Sequence, residues 1–74
     1  MAFDITYNIE KQIGVISEGK DGWKMELNLV SWNNRDAKFD IRSWDAEHQK
    51  MTKGVTLTRD ELAQLKTLID QALA

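Results

Sequence analysis

The chain has 74 residues, ten Lys and Arg against twelve Asp and Glu, a formal net charge of −2, one histidine and no cysteine or proline. These numbers exclude a disulfide framework, make a structural zinc site untenable and argue against the strongly basic footprint common among nucleic-acid binders. A chain this short buries only about 60–65% of its unfolded surface, so its core needs a further staple, and a second subunit is the one left open by the composition.

From Phe3 the odd positions are apolar (Phe3, Ile5, Tyr7, Ile9, Ile13, Val15) and the even ones mostly polar. Period two predicts one long strand, or two strands broken near Glu10–Gln12. No apolar run in this region has the form of a signal peptide, and none in the chain approaches the roughly 20 residues of a membrane span. The expected setting is therefore cytoplasmic and soluble, with no membrane partner. "EGKDG", Glu18 to Gly22, carries turn chemistry.

"WKMELNLVSW" follows as a second alternating segment, with Trp23, Met25, Leu27 and Leu29 on one side and Lys24, Glu26, Asn28, Val30 and Trp32 on the other. Asn33 to Ala37 is a second turn, since Asn and Asp tolerate left-handed backbone. "KFDIRSW" then sets Phe39 and Ile41 against Lys38, Asp40, Arg42 and Trp44, and a polar loop, Asp45 to Gly54, leads to the short strand Val55 to Thr58. Thr58 and Glu61 form a capping box, and Leu62, Leu65, Leu68, Ile69, Ala72 and Leu73 recur at helical spacing, predicting a helix over about 59–73. Strands followed by one helix give an α+β fold, an antiparallel sheet with its apolar face covered by the helix.

By parity Leu27, Leu29, Phe39 and Ile41 form the core face, and Trp32 and Trp44 fall on the opposite one beside Lys24, Asn28, Lys38 and Arg42. Indoles, cations and an amide on an open sheet face suit single-stranded nucleic acid, whose bases stack on rings while cations follow the phosphates. The middle of the chain, residues 20–53, holds seven of the cations, Lys20, Lys24, Arg35, Lys38, Arg42, Lys50 and Lys53, against six acids. Lys50 reads as a solvated loop charge, Trp23 as a packing residue in phase with Met25 and Leu27, and Arg42 has a plain structural alternative, pairing with Asp40 or Asp45. His48 lacks the companions a metal or catalytic site needs, no serine has a visible base, and no glycine-rich phosphate loop is present. No catalytic residue, cofactor, metal or small-molecule substrate is expected.

"FDIRSW", Phe39 to Trp44, followed by "KGVTLTRDEL", Lys53 to Leu62, resembles the transcriptional coactivator family called positive cofactor four. "GWKMELNLVSWN", Gly22 to Asn33, is similar to its small bacterial YdbC-type relatives. The likeness runs from about Ile13 to the end of the helix. It implies a four-stranded curved antiparallel sheet with a C-terminal helix (ββββα), a homodimer built with those helices, and single-stranded DNA binding across the sheet. By position it places the DNA-contacting arginine on Arg42, the stacking tryptophan on Trp44 and the basic residue before the glycine on Lys53. The tip of the second hairpin corresponds loosely to Trp32, Arg35 and Lys38, and the first-hairpin lysine to Lys20, with Lys24 beyond it. The turn Asn33 to Ala37 is longer than the coactivator's, and Thr52 stands where the coactivator has a first of two basic residues. The reading is thus one domain over 1–74: a non-enzymatic, homodimeric, largely sequence-independent single-stranded DNA-binding protein, nucleoid-associated, with RNA as a second candidate ligand. A protein-interaction module is the alternative.

Overall fold

The computed structural model describes residues 5–74. Phe3 and Asp4, with which the first strand was expected to begin, lie outside the described residues. Four antiparallel strands, β1 (Tyr7–Glu18), β2 (Lys24–Trp32), β3 (Lys38–Trp44) and β4 (Val55–Leu57), form one sheet in the order of the chain, and the helix α1 (Arg59–Ala72) follows. The expected ββββα order is therefore the observed one.

The connections follow from their residues. Asp21 (φ 58°) and Gly22 (φ 82°) carry the left-handed backbone of the first turn, and Asn33 (φ 52°) and Asn34 (φ 61°) that of the second. Asn33 also ties its turn to β1. Its backbone N–H donates to the Thr6 carbonyl at 2.8 Å, and its Oδ1 accepts from the Thr6 N–H at 3.1 Å. The β1 alternation is interrupted. Its pairing with β2 shifts register between Ile9 and Lys11, between Gln12 and Gly14, and between Val15 and Ser17. Each bulge bends a strand and raises its local twist.

The bend is large. Trp32 ends β2, and Trp44 pairs with Lys24 at its start. Eight residues separate Lys24 from Trp32, about 26 Å in a straight strand. Yet the two indole centroids lie 6.3 Å apart, 14° from parallel. The sheet is curled until its far ends touch, with Glu26, Asn28, Val30, Asp40 and Trp44 on the inside and all buried.

This reverses the expected core. Leu27, Leu29, Phe39 and Ile41 lie on the outer face and are only half-buried. The helix contacts β3 and β4, with Leu62 and Ala63 beside Phe39. Curvature outweighs hydrophobicity here, because side chains inside a tight curl shield one another whatever their polarity.

The helix begins as its sequence dictates. Thr58 Oγ1 accepts from the Glu61 N–H at 3.2 Å, and the Glu61 carboxylate accepts from the Thr58 N–H at 2.8 Å. That second bond, with the Thr58 hydroxyl and nearby Lys38 helping, holds the Glu61 carboxyl below its ordinary 4.5. A carboxyl lowered by folding stabilises above its unfolded value, and the contribution fades as pH falls through the folded one. Thr58→Ala is expected to cost about 1 kcal/mol in urea denaturation near neutral pH, and less well below pH 4.5, where the Glu61 half of the box is protonated.

Candidate nucleic-acid interface

The inside of the curl is built around three rings. Tyr7 faces Trp32 across the β1–β2 pair, with centroids 5.8 Å apart, and reaches Trp44 at 5.3 Å. Trp44 is wholly buried, closed on one side by His48, whose ring lies 5.7 Å away. The loop carrying His48 is fastened at several points. Tyr7 Oη donates to the His48 carbonyl at 2.5 Å, and His48 Nε2 meets both Glu26 oxygens at 2.9 and 3.0 Å. Asp45 Oδ1 accepts from the Gln49 and Lys50 N–H groups. The Lys50 bond leads the causes that hold the Asp45 carboxyl below its ordinary value.

Trp44 therefore offers no face to a ligand. The expectation that it is an exposed stacking ring is corrected: its parity is as read, but the curl and the loop after β3 seal that side of the sheet. Trp32 stays partly open and forms one wall of a recess of about 390 Å³, whose lining includes Arg35, Lys38, Arg42 and Met51. Four of the eight expected site residues thus converge. Lys53 is exposed and precedes Gly54, whose backbone lies so close to Arg42 that a Cβ there would fall 2.4 Å from the Arg42 Cβ. Lys24 stands at the opposite end of β2, and Lys20 on the exposed turn before it.

Arg42 has a set position. Its Nε and Nη2 donate to the two oxygens of Asp40, both at 2.7 Å, and Asp40 is fully buried. Its Nη1 reaches Met51 Sδ and the Thr52 carbonyl, and its Cζ lies 4.5 Å from the Trp32 ring centroid. Such a cation over an indole contributes about 0.5–2 kcal/mol. The pairing with Asp40, one of the two partners read from the sequence, neutralises the guanidinium and fixes its plane. Arg35 and Lys38 make no ion pair among the described residues, and with Asp36 they are the charged groups that line this recess beside Arg42.

Sequence reasoning missed Tyr7, Met51 and the inward Glu26–His48 pair. Tyr7 was legible only as one apolar position of an alternating strand. His48 was read only as a member of a polar loop without the companions of a metal or catalytic site, and its left-handed backbone (φ 57°) and carboxylate partner depend on the loop folding back.

Four antiparallel strands and a terminal helix, with a ring-and-cation recess on the sheet, make the architecture of a small nucleic-acid-binding domain. Residues 20–68 match the family described as Transcriptional Coactivator p15 (PC4). An uncharacterised protein of Treponema pallidum (strain Nichols) is 43% identical over 67 residues, covering 90% of this chain and 79% of the relative. The chain belongs to the positive cofactor four family, a family of nucleic-acid-binding, non-catalytic domains, and this supports a role in DNA binding. No helix among the described residues is long and apolar enough to cross a membrane.

Trp44→Ala is expected to lower stability by about 3–5 kcal/mol, the range for deleting a core aromatic, measured by urea denaturation. A loss under about 1 kcal/mol would mean that the ring is not the packed centre of the curl.

Proposed function

We propose that the protein binds single-stranded DNA as a homodimer, without catalysis and with little sequence preference across most of its footprint. The observation that carries this is the convergence of Trp32, Arg35, Lys38 and Arg42 on one recess of the sheet. A base stacks against the Trp32–Arg42 pair, since both indole and guanidinium planes accept a nucleobase. Arg35 and Lys38 contact phosphates there, Lys53 extends the cationic track beyond Arg42, and Lys24 and Lys20 extend it at the other end of β2. Trp44 acts indirectly, by holding Trp32 from within.

What one chain leaves uncovered supports the dimer reading. Among the described residues only two apolar ones, Val30 and Trp44, are fully buried, whereas Leu68, Ile69, Val55 and Met25 are 49%, 45%, 47% and 39% exposed. Apolar surface on that scale, on the outer sheet face and the helix, favours a second copy. The same surface is what a protein-interaction module would use, and titration with single strands separates the two readings: DNA on Trp32 quenches indole fluorescence, whereas a protein-docking role leaves it unchanged.

Trp32→Ala is expected to weaken oligo-dT binding by about 1–3 kcal/mol at matched salt, and binding equal to the parent's would remove the ring from the site. Lys38→Ala is expected to reduce the slope of log K against log salt by about one phosphate contact, roughly 0.7. An unchanged slope would take Lys38 off the backbone. Arg42→Ala is a poor probe by comparison, because stranding buried Asp40 costs about 3–5 kcal/mol of stability by itself.

A further inference from the structure

The Trp32 recess contains one reactive side chain whose chemistry base stacking does not use. Met51 lies in the loop after β3, joined to that strand by a single bridge opposite Trp44, and it is partly exposed where it lines the recess. Its Sδ accepts from Arg42 Nη1 at 3.5 Å. Arg42 commits Nε and Nη2 to Asp40, both at 2.7 Å. Nη1 is left with the sulfur and the Thr52 carbonyl, the latter at 3.4 Å, as its acceptors among the described residues. The carbonyl contact is longer than an ordinary N–H···O bond, and a thioether is a weak acceptor. Nη1 is therefore the terminal nitrogen of Arg42 without a strong partner, and it stays available to a phosphate or base oxygen.

Oxidation of the sulfur changes that. A peroxide transfers one oxygen: a sulfur lone pair forms the S–O bond and the O–O bond breaks. The thioether loses two electrons, and hydrogen peroxide departs as water, its leaving hydroxide taking the proton of the transferred oxygen. The product, methionine sulfoxide, is polar where methionine is apolar. Here its oxygen lies within reach of Nη1 and replaces a weak acceptor with a strong one, while the apolar wall near Trp32 becomes polar. We propose that Met51 is a reversible oxidation site through which a peroxide lowers the affinity of the Trp32 recess for a single strand. The switch rests on the single-strand reading above. Met25 is the internal comparison: it is 39% exposed, pairs with Ser17 and Ser43, and does not line the recess.

The test measures oligo-dT affinity by fluorescence anisotropy at one salt concentration, before hydrogen peroxide treatment and after the peroxide is removed. Peptide mass spectrometry gives the sulfoxide content at each methionine. Once Met51 is oxidised the parent protein is expected to bind about tenfold more weakly, the scale of one hydrogen bond to a charged group. The two methionine sulfoxide reductases, one for each epimer, should together restore it. Met25→Leu should respond as the parent does, and Met51→Leu, whatever its starting affinity, should keep that affinity through the treatment. An oxidised Met51 with unchanged affinity would overturn the switch and leave the Trp32 reading intact. An equal loss in Met51→Leu, or a Met51 that stays a thioether while Met25 is oxidised, would overturn it too. If Met51→Leu does not fold, a time course on the parent decides: affinity has to fall in step with sulfoxide at Met51, not at Met25, and return with the reductases. Failure of the untreated protein to bind oligo-dT or to quench indole fluorescence would instead remove the single-strand reading beneath it.

Discussion

The contact of Tyr7, Trp32 and Trp44 inside the curled sheet governs the rest of the structure. The rings come from three successive strands and from opposite ends of β2, so they meet only if the sheet bends through most of its length. Three register shifts in β1 allow the bend, and ring packing stabilises it. Aromatic pairs contribute about 0.5–1.5 kcal/mol each beyond the area they bury, a large increment for a chain with so small a dry core. Once the bend is set, the polar inner residues Glu26, Asn28 and Asp40 are carried out of water and have to find partners. Arg42 pairs with Asp40, His48 with Glu26, and Asn28 donates its Nδ2 to Glu26.

The same constraint shapes the candidate interface. Asp40 inside the curl takes the charge of Arg42 and lays its plane over Trp32, so that ring and guanidinium form one platform. Long-range attraction for a polyanion is left to Arg35, Lys38 and the lysines around the rim. That division suits an acidic protein: Arg35 and Lys38, unpaired among the described residues, share the recess of Trp32, and Glu26 and Asp40 on the inner face are engaged by their neighbours.

Much of the architecture was legible in the residues. Alternation marked the strands, Asn33 and Asp21 marked turns that need left-handed backbone, and Thr58 with Glu61 marked the start of the helix. The facing of Trp32 and Trp44 was also legible, because parity in β2 and β3 is unbroken. The choice of the buried face was not. Leu27, Leu29, Phe39 and Ile41 are the more apolar set, and a flat sheet would bury them. Period two carries no information about bulges, so the curl that encloses the tryptophan side was invisible in the alternation. For the same reason Trp44 read as a surface ring, and Glu26 and His48, twenty-two residues apart, gave no sign of meeting.

The central claim is that Trp32 is the ring a base meets, with Trp44 sealed behind it. The indole N–H signals of the three tryptophans report each ring separately in an NMR titration with oligo-dT. The account predicts that the Trp32 signal moves most, that Trp44 follows only through its contact with Trp32, and that Trp23, outside the Trp32 recess, stays in place. A titration that saturates while the Trp32 signal remains where it began would contradict it.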